Sequence, residues 1–99
     1  MTETREHNGP TFKLVILRKK DQDAYQDITI TLKTKVEEEN ILPLFDFAFL
    51  VYTEHEPMDI RDWLKSYFSM EEHLLVVQFE RWSGFGESEA WKWLLWRGH

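Results

Sequence analysis

The sequence contains no cysteine. That absence excludes a disulfide framework, a thiolate nucleophile and a zinc site built from cysteines, and it suits a reducing cytosol. Long apolar runs are also missing: the longest, Phe47–Tyr52, is far shorter than the roughly 20 residues of a membrane-spanning helix. The polar opening MTETREHNGP does not have the pattern of a secretory signal. We therefore expect a soluble, cytoplasmic protein with no membrane partner.

Basic side chains are outnumbered, with 12 Lys and Arg against 18 Asp and Glu and a net charge of −6. Residues 1–35 carry seven basic and five acidic side chains, whereas residues 36–99 carry five basic and thirteen acidic ones. Nucleic-acid-binding proteins usually have the opposite balance, because they must neutralise phosphates. The charge therefore argues against direct nucleic-acid binding and favours a basic protein as the partner. A surplus of carboxylates that serves solubility alone is the other interpretation.

The sequence has no strong catalytic, cofactor-binding or metal-binding motif. The segments 54–56 (EHE) and 71–73 (EEH) put carboxylates next to an imidazole. Neighbouring residues of an extended chain point to opposite faces, so neither segment forms a site by itself. A composite site in which His55 meets His73 is the enzymatic alternative. Apart from that alternative, we predict a protein that is not an enzyme and uses no cofactor and no metal.

Apolar alternation with a period of two residues predicts most of the strands. It predicts strands over Phe12–Leu17, Ile28–Lys35 and Leu74–Glu80, of which the second alternates most cleanly. The aromatic and β-branched content of Phe45–Tyr52 favours a further strand. A helix that begins at Pro43 is the rival interpretation there. Val36–Leu42 is predicted to be an acidic turn or a short helix.

A single helix is predicted over about residues 57–69. Pro57 suits a first helical position, and apolar residues follow at helical spacing from Ile60 to Phe68. Residues 83–90 (SGFGESEA) have the composition of a loop that reverses direction, so Trp91–Trp96 is predicted to return as the last strand.

The predicted fold class is α+β, with a small antiparallel sheet of about five strands and one amphipathic helix packed on one face. Residues 1–11 are expected to be a disordered polar tail. Residues 12–99 are expected to form one domain, because a chain of this length supports a single core.

The predicted hairpin carries the candidate binding residues. Phe85 stands between two glycines at the tip of the loop, where a large apolar side chain is typical of a binding anchor, unless it folds back onto the hairpin. The returning strand has two apolar faces, so it is either central in a covered sheet or exposes aromatic rings to a partner. The predicted partner-binding residues, which are three carboxylates interleaved with three aromatics, are Glu80, Trp82, Phe85, Glu87, Glu89 and Trp96.

These features favour a non-enzymatic inhibitor that masks a basic surface of another protein, with charge guiding the encounter and aromatic anchors providing affinity. An immunity protein or antitoxin that neutralises a nuclease-type toxin fits this description. One alternative is a phage or mobile-element anti-defence protein, of the anti-CRISPR or DNA-mimic type, that blocks a host nucleic-acid-processing complex. A second is a structural module that forms a homodimer through the predicted strand Trp91–Trp96.

Overall fold

The computed structural model describes residues 9–20, 23–45 and 47–97. In this part of the chain four strands form one antiparallel sheet, and three helices pack on it. The strands are β1 (Thr11–Arg18), β2 (Ile41–Leu44), β3 (Ala48–Thr53) and β4 (His73–Phe79), and the helices are α1 (Asp23–Lys35), α2 (Pro57–Leu64) and α3 (Glu89–Arg97).

The strand order in the sheet is β2-β3-β1-β4. With the chain order βαββαβ, this is the connectivity of the ferredoxin-like or split βαβ motif, to which α3 is added at the end. Such motifs carry many unrelated functions, so the topology alone does not identify an activity. None of the helices in the described part of the chain is both long and apolar enough to span a bilayer.

The central strand β1 contributes apolar side chains to both faces of the sheet. Val15 and Leu17 belong to the larger core, in which they join buried residues of α1 and α2. Phe12 lies on the opposite face, in a second core with Leu50 of β3 and Leu94 of α3. The sheet is therefore covered by α1 and α2 on one side and by α3 on the other.

Helix α1 occupies the segment in which alternation predicts a strand, and that prediction is wrong. Ile28, Leu32 and Val36 are four residues apart and all buried, whereas Ile30 is exposed. This spacing is the stripe of a helix. Differences in helix propensity between ordinary residues stay below about 0.7 kcal/mol each, whereas burying an Ile or Leu side chain contributes about 1.5–3 kcal/mol. Burial therefore outweighs the preference of isoleucine and threonine for strands.

Several predicted elements are confirmed. The strands over Phe12–Leu17 and Leu74–Glu80 are found as β1 and β4, and the helix that starts at Pro57 is α2, continued by a 3₁₀ turn over Lys65–Tyr67. The strand predicted over Phe45–Tyr52 is found as β3, so the rival helix is wrong.

The predicted acidic turn or short helix is a 3₁₀ turn over Glu38–Asn40, followed by β2, which the sequence analysis missed. Pro43 lies within β2 at the edge of the sheet. An edge strand tolerates proline because its missing N–H can face away from the neighbouring strand.

Residues 91–96 form most of α3 and not the returning strand of a hairpin, so that prediction is also wrong. The helical repeat brings Ala90 and Leu94 together against the sheet and leaves Leu95 and Trp96 exposed. The described fold thus has four strands and three helices in place of about five strands and one helix, while the antiparallel α+β class is confirmed. The tail predicted over residues 1–11 lies largely outside the described residues, and the single domain stays a prediction.

An ion pair fixes the chain where it leaves β1. Lys19 Nζ lies 2.6 Å from Glu72 Oε1, and the two side chains are only 11% and 8% exposed. The backbone N–H groups of Lys20 and Ser69 each donate to the same carboxylate at 2.9 Å. The hydrogen bond from Lys19, followed by these two, lowers the pKa of Glu72 to about 2.

Glu72→Gln is expected to lower the free energy of unfolding at neutral pH. Because the pKa of Glu72 falls from 4.5 to about 2 on folding, the stabilisation is complete above about pH 4.5 and is lost as the pH falls towards 2. Urea denaturation across this range should show the difference between wild type and variant shrinking on acidification.

Glu71→Gln is the matched control, because Glu71 pairs with Lys20 on the exposed surface. Its effect should stay below about 1 kcal/mol. A Glu72→Gln effect that does not change with pH would contradict the account.

Candidate partner-binding surface

Residues 80–88 connect β4 to α3, and the indole of Trp91 holds this loop. The ring of Trp82 stacks on that of Trp91, with centroids 5.8 Å apart and planes inclined by 23°. Trp91 Nε1 donates a hydrogen bond to the carbonyl oxygen of Gly86 at 2.9 Å. Gly84 packs so closely that a Cβ at this position would lie 2.6 Å from Trp91 Cε2. The loop is therefore fixed at three points around one ring.

Phe85 lies between two of these contacts and is 99% exposed. Gly86 follows with φ of 91°, a conformation that glycine adopts without steric cost. Phe85 thus does not fold back onto the protein. A fully exposed phenylalanine leaves roughly 2 kcal/mol of burial free energy unused, which binding to another surface can recover.

Helix α3 presents a second exposed apolar area. Trp96 is 80% exposed, and Leu95 next to it is also exposed. Glu89 and Lys92 lie on the same side of the helix, with their charged atoms 3.8 Å apart. This side faces away from the buried Ala90 and Leu94, so α3 uses one face for the core and leaves an aromatic face free.

The structure places the six predicted binding residues on the loop and on α3, not on the two strands of a hairpin. Phe85 is at the loop tip, Glu80 and Glu87 are exposed on the same loop, and Glu89 and Trp96 are exposed on the helix. Trp82 differs from the others, because it is half-buried against Trp91 and supports the loop.

The charge of this surface is balanced and not acidic. Residues 80–97 contain three carboxylates and three basic side chains. Carboxylates concentrate elsewhere, in an open hollow of about 510 Å³ near the start of α2, which includes one lysine, Lys35. The acidic side chains that line it are Glu37, Glu54, Glu56 and Asp59. The exposed aromatic side chains and the acidic hollow are therefore supplied by different segments.

Beside this hollow lies a buried lysine that the sequence analysis missed. Lys13 of β1 is only 1% exposed, and its Nζ donates to the carbonyl oxygen of Thr53 at 2.8 Å and to Thr11 Oγ1 at 2.5 Å. Burial lowers the pKa of Lys13, and the nearby carboxylates of Glu56 and Asp59 oppose that shift. In the sequence, the signal for a buried lysine is that Lys13 stands alone within the apolar run FKLVIL.

The two histidine-containing segments do not come together. His73 pairs with Arg18 at one end of β1, whereas His55 follows Thr53, which pairs with Thr11 at the other end. Seven strand residues separate these ends by roughly 20 Å. The composite site of His55 and His73 is therefore not formed, and the described residues hold no group of three or more His, Asp or Glu placed to bind a metal ion.

Gly84→Ala is expected to displace the loop, because its methyl group would overlap the ring of Trp91. Overpacking of this kind costs about 1–3 kcal/mol, measured as a lower free energy of unfolding together with altered tryptophan fluorescence. Gly9→Ala is the matched control, since nothing lies within 4 Å of a Cβ built there. Equal stability of wild type and Gly84→Ala would show that Trp91 does not hold the loop.

Lys13→Met tests the buried lysine, because methionine keeps the length of the side chain and removes the charge. The pKa of Lys13 is lowered from 10.5 in the folded chain. As the pH rises towards 10.5, the folded chain therefore loses this proton before the unfolded chain does, and the unfolded chain binds more protons than the folded chain. The free energy of unfolding of the wild type should therefore rise over this range relative to Lys13→Met in urea titrations.

Lys33→Met removes an exposed lysine and is the matched control for the loss of one positive charge. A constant difference between wild type and Lys13→Met at neutral and alkaline pH would contradict the lowered pKa.

Comparison of the chain with protein-family models, with curated proteins and with solved structures found no match. The function proposed below is inferred from the geometry and charge of the chain's own residues.

Proposed function

We propose that the protein is a non-enzymatic inhibitor that inserts Phe85 into an apolar pocket of another protein and masks the surface around it. The observation that supports this proposal is the full exposure of Phe85 on a loop that Trp91 holds in place. Exposed single apolar residues are common, but this one stands on a loop whose neighbouring residues contact the ring of Trp91.

A loop that is already fixed by internal contacts favours binding, because little conformational entropy is left to lose. A flexible loop loses conformational entropy when it binds, and that loss reduces the affinity. The contacts of Trp82, Gly84 and Gly86 with Trp91 impose this ordering before any partner arrives. Aromatic anchors at the centre of an interface usually account for a large part of the binding free energy.

Trp96 and Leu95 extend the apolar area onto α3. A partner that accepts Phe85 and also covers this face would bury two aromatic side chains. Arrangements of this kind are typical of interfaces in which a few residues dominate the affinity.

A basic surface remains the proposed target. The net charge of −6 attracts a positively charged partner at long range, and the acidic hollow contributes to that field. The exposed carboxylates of Glu80, Glu87 and Glu89 act at closer range, although Arg81 and Lys92 offset part of their charge. A nuclease-type toxin, which an immunity protein or antitoxin neutralises, has such a surface. The anti-defence alternative uses the same residues against a larger nucleic-acid-processing complex.

Affinity capture from a lysate of the source organism tests the proposal when three baits are compared. The wild type and Met70→Ala should recover the same partner, and Phe85→Ala should lose it. Met70 is the matched control because it is 98% exposed on a different segment. With the purified partner, Phe85→Ala should weaken binding by about 2 kcal/mol, or roughly 30-fold, without lowering the free energy of unfolding.

The double variant Glu87→Lys with Glu89→Lys should slow association most strongly at low salt. Equal recovery of the partner by wild type and Phe85→Ala would refute the proposed anchor.

A further inference from the structure

Strand β4 is at one end of the sheet and, within the described residues, pairs only with β1. Its seven residues, HLLVVQF, pair without interruption from His73 opposite Arg18 to Phe79 opposite Phe12. The strand contains no proline, lysine, aspartate or glutamate. The usual features that protect a sheet edge from further pairing, which are charges, prolines and bulges, are therefore missing.

The opposite edge of the sheet has this protection. Strand β2 has only four residues, and Pro43 within it has no N–H to donate. On β4, by contrast, Leu75 is 54% exposed on the face of the sheet that carries α3. The contrast identifies β4 as the edge that is open to another strand.

We propose that β4 pairs in antiparallel orientation with β4 of a second copy, so that the sheet runs continuously through a two-fold symmetric dimer. With the axis at Val76, Leu75 of each copy lies opposite Val77 of the other copy. These two side chains point to the same face of the sheet, so they cover each other on pairing. The outward backbone groups of both strands gain hydrogen bonds at the same time.

The charges beyond the strand ends favour a second copy over an unrelated strand. The same register places Glu71 of one copy level with Arg81 of the other, and the symmetry repeats this pair. Both side chains are exposed, and Glu71 also pairs with Lys20 of its own chain. Glu80 comes level with Glu72, whose charge is compensated by Lys19. One opposite-charge pair, which the symmetry repeats, therefore favours this orientation.

Sedimentation equilibrium of the full chain, from about 1 μM to about 1 mM, tests the proposal. The wild type should dimerise within this range. Leu75→Lys should raise the dissociation constant roughly tenfold, because the changed cross-strand pair occurs twice in the dimer. Ile30→Lys is the matched control, since Ile30 is 56% exposed on α1, and it should dimerise like the wild type. Circular dichroism checks that both variants are folded.

Charge reversal tests the register. Glu71→Lys should weaken the dimer, and the double variant Glu71→Lys with Arg81→Glu should restore it. A monomer at every concentration, or a dimer that Leu75→Lys leaves unchanged, would overturn the proposal. A double variant that stays as weak as Glu71→Lys would overturn the register. Phe85 and Trp96 are not part of this edge, so its test and that of partner binding can fail separately.

Discussion

Strand β1 requires cover on both of its faces, and the rest of the fold follows from that requirement. Val15 and Leu17 are buried by α1 and α2, whereas Phe12 and Leu14 pack on the opposite side with residues of α3. Burial of large apolar side chains is the main favourable contribution to folding, so neither face can stay in water. A sheet covered by helices on one side only would leave Phe12 and its neighbours exposed.

Helix α3 provides the second cover and is held firmly in that position. The ring of Trp93 lies 6.0 Å from that of Phe12, and Trp93 Nε1 donates to the carbonyl oxygen of Glu39 at 3.0 Å. Arg97 Nε donates to Asn40 Oδ1 at 3.0 Å. Because α3 and β4 are both fixed, the loop between them has fixed ends, and Trp91 fixes its middle. Phe85 is exposed as a consequence of this arrangement and not through lack of structure.

The sequence predicted local features of this fold better than features that depend on packing. In β1, β4 and α2, the spacing of the apolar residues in the sequence matches the type of element that the structure shows. The prediction of a strand at Ile28–Lys35 was wrong because this segment fits two patterns. Its apolar residues alternate as in a strand, and Ile28, Leu32 and Val36 also have the spacing of a helical stripe. Asp23 at the start of α1 and Lys33 and Lys35 at its end complement a helix dipole and were available as signals for a helix.

For the candidate surface, too, local features could be predicted from the sequence and features that depend on packing could not. The position of Phe85 at a loop tip is visible in the sequence from its two glycine neighbours, but whether its ring folds back depends on the contacts of the loop with Trp91. The helix that carries Trp96 was predicted as a strand, although Ser88 was a recognisable N-cap: its Oγ accepts a hydrogen bond from the N–H of Ala90 at 3.1 Å. Burial of Lys13 and the support of the loop by Trp82 depend on which elements meet across the sheet, and no local pattern encodes that.

The measurement that tests the central claim most directly is ¹⁵N relaxation of the loop backbone over residues 82–88 in the isolated protein. A loop held by Trp91 should give order parameters near those of the strands, about 0.85. Values below about 0.6 would show that the loop is flexible in solution, and the account of Phe85 as an anchor presented in advance of binding would then be wrong.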